Sequence, residues 1–588
     1  MRAASPYLTP KSLALAAAVI LVVLLGPFLN LSSVGGSSEA REIHVAALVK
    51  ETGEWVLPLR NGVVPSKPIL FHWVTALLGE LRGGVTPAVA RTSSLLFGAA
   101  TVALTVFLGA LLGGLRSPAL GVWVGGMSGF ILASTYGFIQ LALDARVDMT
   151  YTFFVVVAVS AVIRPFLRPD GASRLLPVRG GDWCLFYTAC GFAVLAKGPI
   201  GLVLPGLVGF ACVAYLIGLR HALRAFVQPR WGWLLFLGLA LPWYIAAAGR
   251  GADAFIERHL FFENLQRFTG AEHMNNEPPW FYFGSILRGA LPWSILAVAF
   301  VVTGWPRIAR LPYGHLGGLQ VRLRWVGALW FVTGFAFLSL AAGKRHSYLL
   351  PLYPGMAIFV GYHLTEWFQE LSDRAQGRWR EALRRVSSVL ALVVVVIGVS
   401  VSIFMALDLS LYPLLVIVQR WAVEHRSGLV LAAVMAFALQ YGALFSQQDA
   451  PARRVVPAAL TVVWLLGFAT TIGYGVKSEF KGFDRMATVV RGLVPADTPL
   501  VLLKTRYNEY FDPFLYYLGR SVEIVSPQPS EVNCPGEAVY IARRDWFDGE
   551  MGEAASRVEE VTTVYQRYDE FTGRTDRGIT LFKCRTGM

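Results

Sequence analysis

Glu39, Arg41 and Glu42 follow directly on a long apolar run, so their charges fall at the edge of hydrocarbon. A carboxylate there can act as general base on an acceptor hydroxyl, or stabilise positive charge developing on a sugar carbon. The plainer reading is an acidic helix start, which the helix dipole also favours. Asp144, Arg146 and Asp148 lie between the third and fourth apolar runs, and Lys197, Gly198 and Pro199 between the fifth and sixth. Charges at such depth are costly unless paired or functional. Lys197 is flanked by apolar residues and needs either an anionic ligand or a carboxylate such as Asp148, and the residues alone leave both open. Lys67 stands in a segment held extended by Pro65 and Pro68. Arg267 in a second long loop, and Lys344, Arg345 and Tyr348 before the tenth run, fall on the same side. Singly these are ordinary interface anchors. Together they supply arginine forks and lysine point charges that can converge on a phosphate.

The elements that must position these residues are spans. The 588 residues are 55% hydrophobic and 15% charged, too apolar for a soluble chain of this length. Apolar runs of about 17 to 23 residues recur, each long enough to cross hydrocarbon as a helix, and the short alternating segments of a closed barrel are absent. We expect a polytopic all-α membrane protein of about thirteen spans. Its first run, Ser12 to Leu31, lacks a small-residue cleavage site and reads as a retained span. The net charge of +14 gathers at Arg116, Arg164 to Arg179, Arg220 to Arg230, Arg307 to Arg324, Arg374 to Arg385, and Arg453 with Arg454. These are alternate connections, so the basicity is that of cytoplasmic loops and calls for no nucleic acid. The pattern places the chain in a bacterial inner membrane with its N-terminus cytoplasmic and its C-terminus periplasmic.

Residues 1–475 form the spanning domain, interrupted outside by loops 32–91 and 250–282, which are too long to be simple turns. Ile43 to Lys50, Pro68 to Leu81 and Phe255 to Phe268 read as amphipathic helices at the membrane surface. Residues 476–588 read as a small extracytoplasmic α/β domain. Helices are expected at Phe483 to Leu493 and Tyr510 to Leu518, and strands at Leu500 to Leu503, Val522 to Val525, Ala538 to Arg543 and Ile579 to Cys584. This tail holds no phosphate-binding glycine loop and no metal-ligand spacing. Cys534 and Cys584 could pair in an oxidising compartment, whereas Cys184, Cys190 and Cys212 lie in spans as apolar packers.

Several segments in fixed order carry a resemblance: "AREIHVAALVKETGEWVLP" and "NGVVPSKPILFHWVTAL" in the first loop, "ARVDMTYTFF" at Ala145, and "LAKGPIGLVLPG" at Leu195. "ENLQRFTG" at Glu263, "EPPWFYF", "LPWSIL" at Leu291 and "KRHSYLLPLYP" at Lys344 complete it. Between about Ser32 and Pro354 the chain resembles the lipid A aminoarabinose transferase family, grouped with the protein O-mannosyltransferases among membrane glycosyltransferases of the GT-C fold. The resemblance implies a sugar donor on a polyprenyl phosphate, undecaprenyl phosphate, and attack by an acceptor oxygen outside the membrane with prenyl phosphate leaving. It implies phosphate contacts from Lys67, Arg267 and Tyr348, with Lys197 and Asp148 lining the cavity and Arg41, Arg146, Asn264, Lys344 and Arg345 around it.

Two departures from the family pattern matter. Ser38 precedes Glu39 where the family has an Asp-Glu pair, so the catalytic carboxylate is absent, shifted to Glu39, or replaced by Glu42. Ser66 stands where the family has a Glu, so no metal or other cofactor is expected to be required. The expected acceptor is lipid A or another envelope glycolipid, with a protein acceptor second, and the expected state is a monomer. The competing classes are a transporter or flippase, and a non-catalytic binding protein, for lipid-linked sugars.

Overall fold

The computed structural model describes residues 9–168, 178–227, 230–259, 277–290, 292–308, 316–374, 452–503, 511–525, 538–544, 558–566 and 578–584, with short stretches inside 260–276, 375–451 and 545–550. Helix α1 (Pro10–Leu25) opens on Thr9, whose hydroxyl accepts the Ser12 amide at 3.1 Å, with Pro10 at the first helical position. The first long connection folds into α2 (Ser37–Thr52) and α3 (Leu70–Arg82). Next come α4 (Pro87–Gly114), α5 (Pro118–Ala133) and α6 (Tyr136–Ala142). The α4–α5 hairpin packs through glycines: a Cβ on Gly113 or Gly125 would come within 2.8 Å of a backbone carbonyl, of Leu120 and Val106 respectively. With no hydrophobic drive between helices in lipid, such close backbone approach is what holds them together.

The bundle continues with α7 (Val147–Ile163), α8 (Gly180–Lys197), α9 (Ile200–Ile217), α10 (Leu219–Val227) and α11 (Arg230–Ile256). Then follow α12 (Phe281–Ala290), α13 (Trp293–Ile308), α14 (Leu316–Leu323), α15 (Val326–Leu340), a 3-10 turn at His346–Leu352 and α16 (Tyr353–Arg374). Helix α7 packs on α4, α8 and α9, and α16 on α5 and α15. Among the described residues six helices are long and apolar enough to cross a membrane, or eight if the bent pairs α5 with α6 and α12 with α13 each count as one span. Part of the expected thirteen falls between residues 375 and 451, mostly outside the described residues. The chain is a polytopic helical membrane protein with a small C-terminal α/β unit.

Helix α17 (Ala452–Lys481) breaks at Gly482, where φ is +58°, a left-handed conformation that costs glycine least, and α18 (Phe483–Leu493) begins. Strands β1 (Leu500–Leu503), β2 (Glu523–Val525), β3 (Val539–Arg543), β4 (Val558–Val564) and β5 (Ile579–Cys584) pair in the order β2-β1-β3-β5-β4, parallel around β1 and antiparallel at β5. Helix α18 and α19 (Asp512–Leu518) cover one face of the sheet with Phe483, Val490, Phe514 and Leu518 against Leu500 and Ile541. Strand β4 was not expected from its sequence, and Cys534 of the expected disulfide lies outside the described residues.

The tail docks on the first loop. Asn61 (φ +50°) and Gly62 (φ +76°) make the two-residue turn that an Asn-Gly pair favours, closed by Arg60 and Val63 bonding each other at 2.9 and 3.2 Å. The turn holds Arg60 against Asp512 at the start of α19, and Asn61 Oδ1 accepts the Val522 amide at 3.5 Å. Tyr517 Oη accepts the Val34 amide at 2.6 Å, and Lys481 donates to the Gly35 carbonyl at 2.7 Å. Helix α2 therefore lies between α3 and α19, buried on more than one side, where the sequence suggested a shorter helix on the membrane surface.

Candidate active site

Five separate segments meet at one end of the bundle around a small polar cleft. From α2 come Ser38, Arg41 and Glu42, one helical turn apart and so on one face. The segment before α3 supplies Lys67, the start of α7 supplies Arg146 and Asp148, the end of α8 supplies Lys197, and the 3-10 turn supplies Arg345 and Tyr348. Five basic side chains thus face two carboxylates.

Local chemistry places each of them. Arg146 caps α7 in an extended conformation and Asp148 sits in the first turn, where the helix dipole favours an anion. Lys197 ends α8, where the dipole favours a cation, and Gly198 (φ +87°) turns the chain sharply into α9. A side chain on Gly201 would run into the backbone of Ala193 and Val194, so the α8–α9 corner closes tightly behind Lys197. Lys197 Nζ donates to Asp148 Oδ1 at 2.6 Å and lies 5.0 Å from the Tyr151 ring and 4.6 Å from the Tyr348 ring. Of the two partners the sequence left open for Lys197, the carboxylate is present and the cleft is adjacent. Arg146 Nε lies 3.1 Å from Asp148 Oδ2, so Asp148 bridges two cations and holds both at the cleft wall. Arg146 also reaches Asp144 at 3.9 Å, whose carboxyl is raised above the ordinary range by burial and by the charge of Glu39.

Glu42 and Glu39 point different ways. Glu42 lines the cleft, with Oε2 accepting from Nε2 of His72 at 2.8 Å and Arg41 Nε at 3.4 Å from Oε1. Burial pushes its pKa up, but the His72 hydrogen bond and the charges of Arg41 and Lys67 outweigh that and hold it at about 2. Glu39 is absent from the cleft lining and accepts from Arg91 Nε at 2.7 Å, while Arg91 also donates to the carbonyls of Leu29 and Ser32. Lys344 likewise turns away, donating to the carbonyls of Glu277 (2.7 Å) and Ala341 and so anchoring its own loop. Asn264 and Arg267 lie outside the described residues. His72 escaped the sequence reading because a histidine in an aromatic run looks like packing. Its only signal was the buried glutamate thirty residues earlier.

Among the described residues no three His, Cys, Asp or Glu side chains gather to hold a metal ion. Near Lys67, Ser66 is buried and its hydroxyl has no hydrogen-bond partner among the described residues.

No family model matches the chain. It is 28% identical over 360 residues to an undecaprenyl phosphate-alpha-4-amino-4-deoxy-L-arabinose arabinosyl transferase of Shewanella sediminis, covering 59% of this chain and 58% of that protein. The match thus spans little more than half of that relative's length. A protein of the same name from Aeromonas hydrophila is 25% identical over 490 residues, covering 77% of this chain and 83% of the relative. The crystal structure of ArnT from Cupriavidus metallidurans bound to undecaprenyl phosphate superposes with a TM-score of 0.63 at 18% identity, over 98% of both chains. The chain therefore has the GT-C fold of that transferase, and the resemblance read from the sequence motifs extends through the whole chain at the level of fold.

Proposed function

We propose that this chain is an integral-membrane glycosyltransferase that moves a sugar from undecaprenyl phosphate to an acceptor oxygen at the outer face of the bacterial inner membrane. One observation carries the reading: basic residues far apart in sequence converge with two carboxylates on a single cleft. A surplus of three positive charges at the end of a lipid-embedded bundle suits a phosphate whose prenyl chain lies in the bilayer. Relatives carrying the name of such a transferase support the same reading.

In the transfer step the acceptor oxygen bonds to the anomeric carbon as the bond from that carbon to the phosphate oxygen breaks. The electron pair stays on the phosphate, and the acceptor proton passes to a cleft carboxylate and on to water. Lys67, Lys197, Arg345 and Arg146 stand ready for the charge that grows on the leaving phosphate, and because Asp148 already fixes two of them, little reorganisation is needed. Arg267 is proposed as a further phosphate ligand and Asn264 as a neighbour, on the motif they share. The proposed acceptor is lipid A or another envelope glycolipid, the N-terminus is proposed to be cytoplasmic and the tail periplasmic, and the protein is proposed to act as a monomer without a metal.

The test is purified protein in vesicles with labelled undecaprenyl phosphate-linked sugar, lipid A and excess EDTA. Multiple turnovers to glycosylated lipid A are expected. Movement of the donor across the vesicle wall without transfer, or binding without product, would overturn the reading in favour of a flippase or a binding protein. Activity lost to EDTA and restored by a divalent metal would remove the metal-free proposal alone.

A further inference from the structure

The carboxylates near the reacting end are held in different ways. Glu39 is bound to Arg91 outside the cleft lining, and Asp148 bridges Lys197 and Arg146. Glu42 faces the cleft with one oxygen on His72 and only a long contact from Arg41 on the other. A carboxylate only accepts, so Nε2 of His72 carries the hydrogen, and the tautomer is set by Glu42. The His72 ring is fully buried, edge-on to Phe71 at 5.8 Å, and its Nδ1 atom has no hydrogen-bond partner among the described residues. An unsatisfied buried nitrogen destabilises the fold, and a phenylalanine would fill this space without that cost. The polar ring therefore has a use at its other nitrogen.

We propose that His72 is a positioning residue for the transfer reaction, turning the Glu42 carboxylate into the cleft so that Glu42 receives the hydrogen of the attacking acceptor hydroxyl. This rests on the transferase reading. As the acceptor oxygen bonds to the anomeric carbon and the bond to phosphate breaks, the hydroxyl proton moves to Glu42 and then to water. Arg41 from the same helix, Lys67 from the segment before α3 and Arg146 from the start of α7 face Glu42 together with His72. They make it a weak base, so it first stabilises positive charge on the sugar carbon and takes the proton late. Ser38, one turn before Glu42, also lines the cleft.

The experiment compares wild type, His72→Phe, His72→Gln, Glu42→Gln and the double variant His72→Phe/Glu42→Gln in the vesicle assay, with melting temperature and a pH profile for each. His72→Phe should lower kcat about 100-fold, the scale of a misplaced reacting group, while the donor KM stays unchanged. It should also move the acid limb of the profile to higher pH, because one interaction that lowers the Glu42 pKa is gone. His72→Gln should restore most of kcat, since its amide can donate to Glu42 as Nε2 does. The double variant should be no slower than Glu42→Gln alone, because groups acting as a unit are not additive. Wild-type kcat in His72→Phe, losses that multiply, or His72→Gln as impaired as His72→Phe at an equal melting temperature would each overturn the role. A change in KM alone would also overturn it, because His72 would then serve donor binding. A wild-type protein that turns over no donor would remove both the transferase reading and this one.

Discussion

The two ends of the helix bundle use the same device at different depth. At the cleft, Asp148 bridges Lys197 and Arg146, with Lys197 9% exposed and Asp148 4%. Because successive helices reverse direction, Arg116 after α4, Arg164 after α7, Asp182 at the start of α8 and Glu366 near the end of α16 fall at the opposite end. There Asp182 holds Arg164 and Arg168, and Glu366 holds Arg116 and Arg324. Arg116 is 48% exposed and Arg164 36%, so water screens them. The acids do not separate the two ends, since Asp182 is as buried as Asp148, but the cations do: Lys197 and Arg146 are 9% and 21% exposed, against 26% to 48% for the four arginines at the other end. On the proposed reading, the more exposed end is the cytoplasmic one, and the less exposed cations at the cleft are the ones placed to steady a leaving phosphate.

The largest expected difference is in rate. Lys67→Ala should cut transfer about 100- to 1000-fold, the scale of a lost electrostatic contact to a developing anion, while Arg116→Ala leaves the rate within about twofold. Both are read in the vesicle assay at matched melting temperature, and equal rates would erase the distinction between the ends. Next comes stability. Asp148→Asn leaves two mostly buried cations short of a partner and should cost about 3 kcal/mol, whereas Glu366→Gln should cost about 0–1 kcal/mol. Denaturation in detergent measures both, and similar losses would mean that burial does not set the strength of these clusters.

Much of this comparison was legible in the residues, and the misses share a cause. Helix α18, strand β1 and strand β5 fall on the residues expected, because α18 has one apolar face and the two strands are short apolar runs packed on both faces of the sheet. Strand β4, with sequence VEEVTTV and mostly exposed residues, lies on the sheet edge and lacks that alternation. Helix α2 was read too short and on the surface, because its charges are buried against partners elsewhere in the chain. Arg91 lies 52 residues beyond Glu39 and His72 lies 30 beyond Glu42, distances that no periodicity records. The basic cleft residues were visible as a common side of the membrane, but their convergence, and the turning away of Glu39 and Lys344, are properties of packing.

The tail offers a smaller contrast. Arg60→Ala removes a mostly buried ion pair with Asp512, so limited proteolysis and hydrogen exchange should report a loosened α19 while transfer falls by no more than about tenfold. An unchanged exchange pattern would show that the Asn-Gly turn does not hold the tail. Smallest is the acid response of Glu42. Its folded pKa of about 2 lies below the ordinary 4.5, so its stabilising contribution is complete above about pH 4.5 and is lost as pH falls toward 2. The melting difference between wild type and Glu42→Gln should be flat from pH 8 to 5 and shrink below about pH 4.5. A difference that shrinks already between pH 7 and 6 would contradict the cationic surroundings assigned to it.

The central claim, that side chains from separate segments of the chain converge to hold one lipid phosphate, is tested most directly by an electron cryo-microscopy structure with undecaprenyl phosphate. The account predicts headgroup density in the cleft, with phosphate oxygens within hydrogen-bonding reach of Lys67 and of at least one of Lys197, Arg345 and Tyr348. A headgroup seated among the exposed arginines at the other end of the bundle, or on the tail, would contradict it.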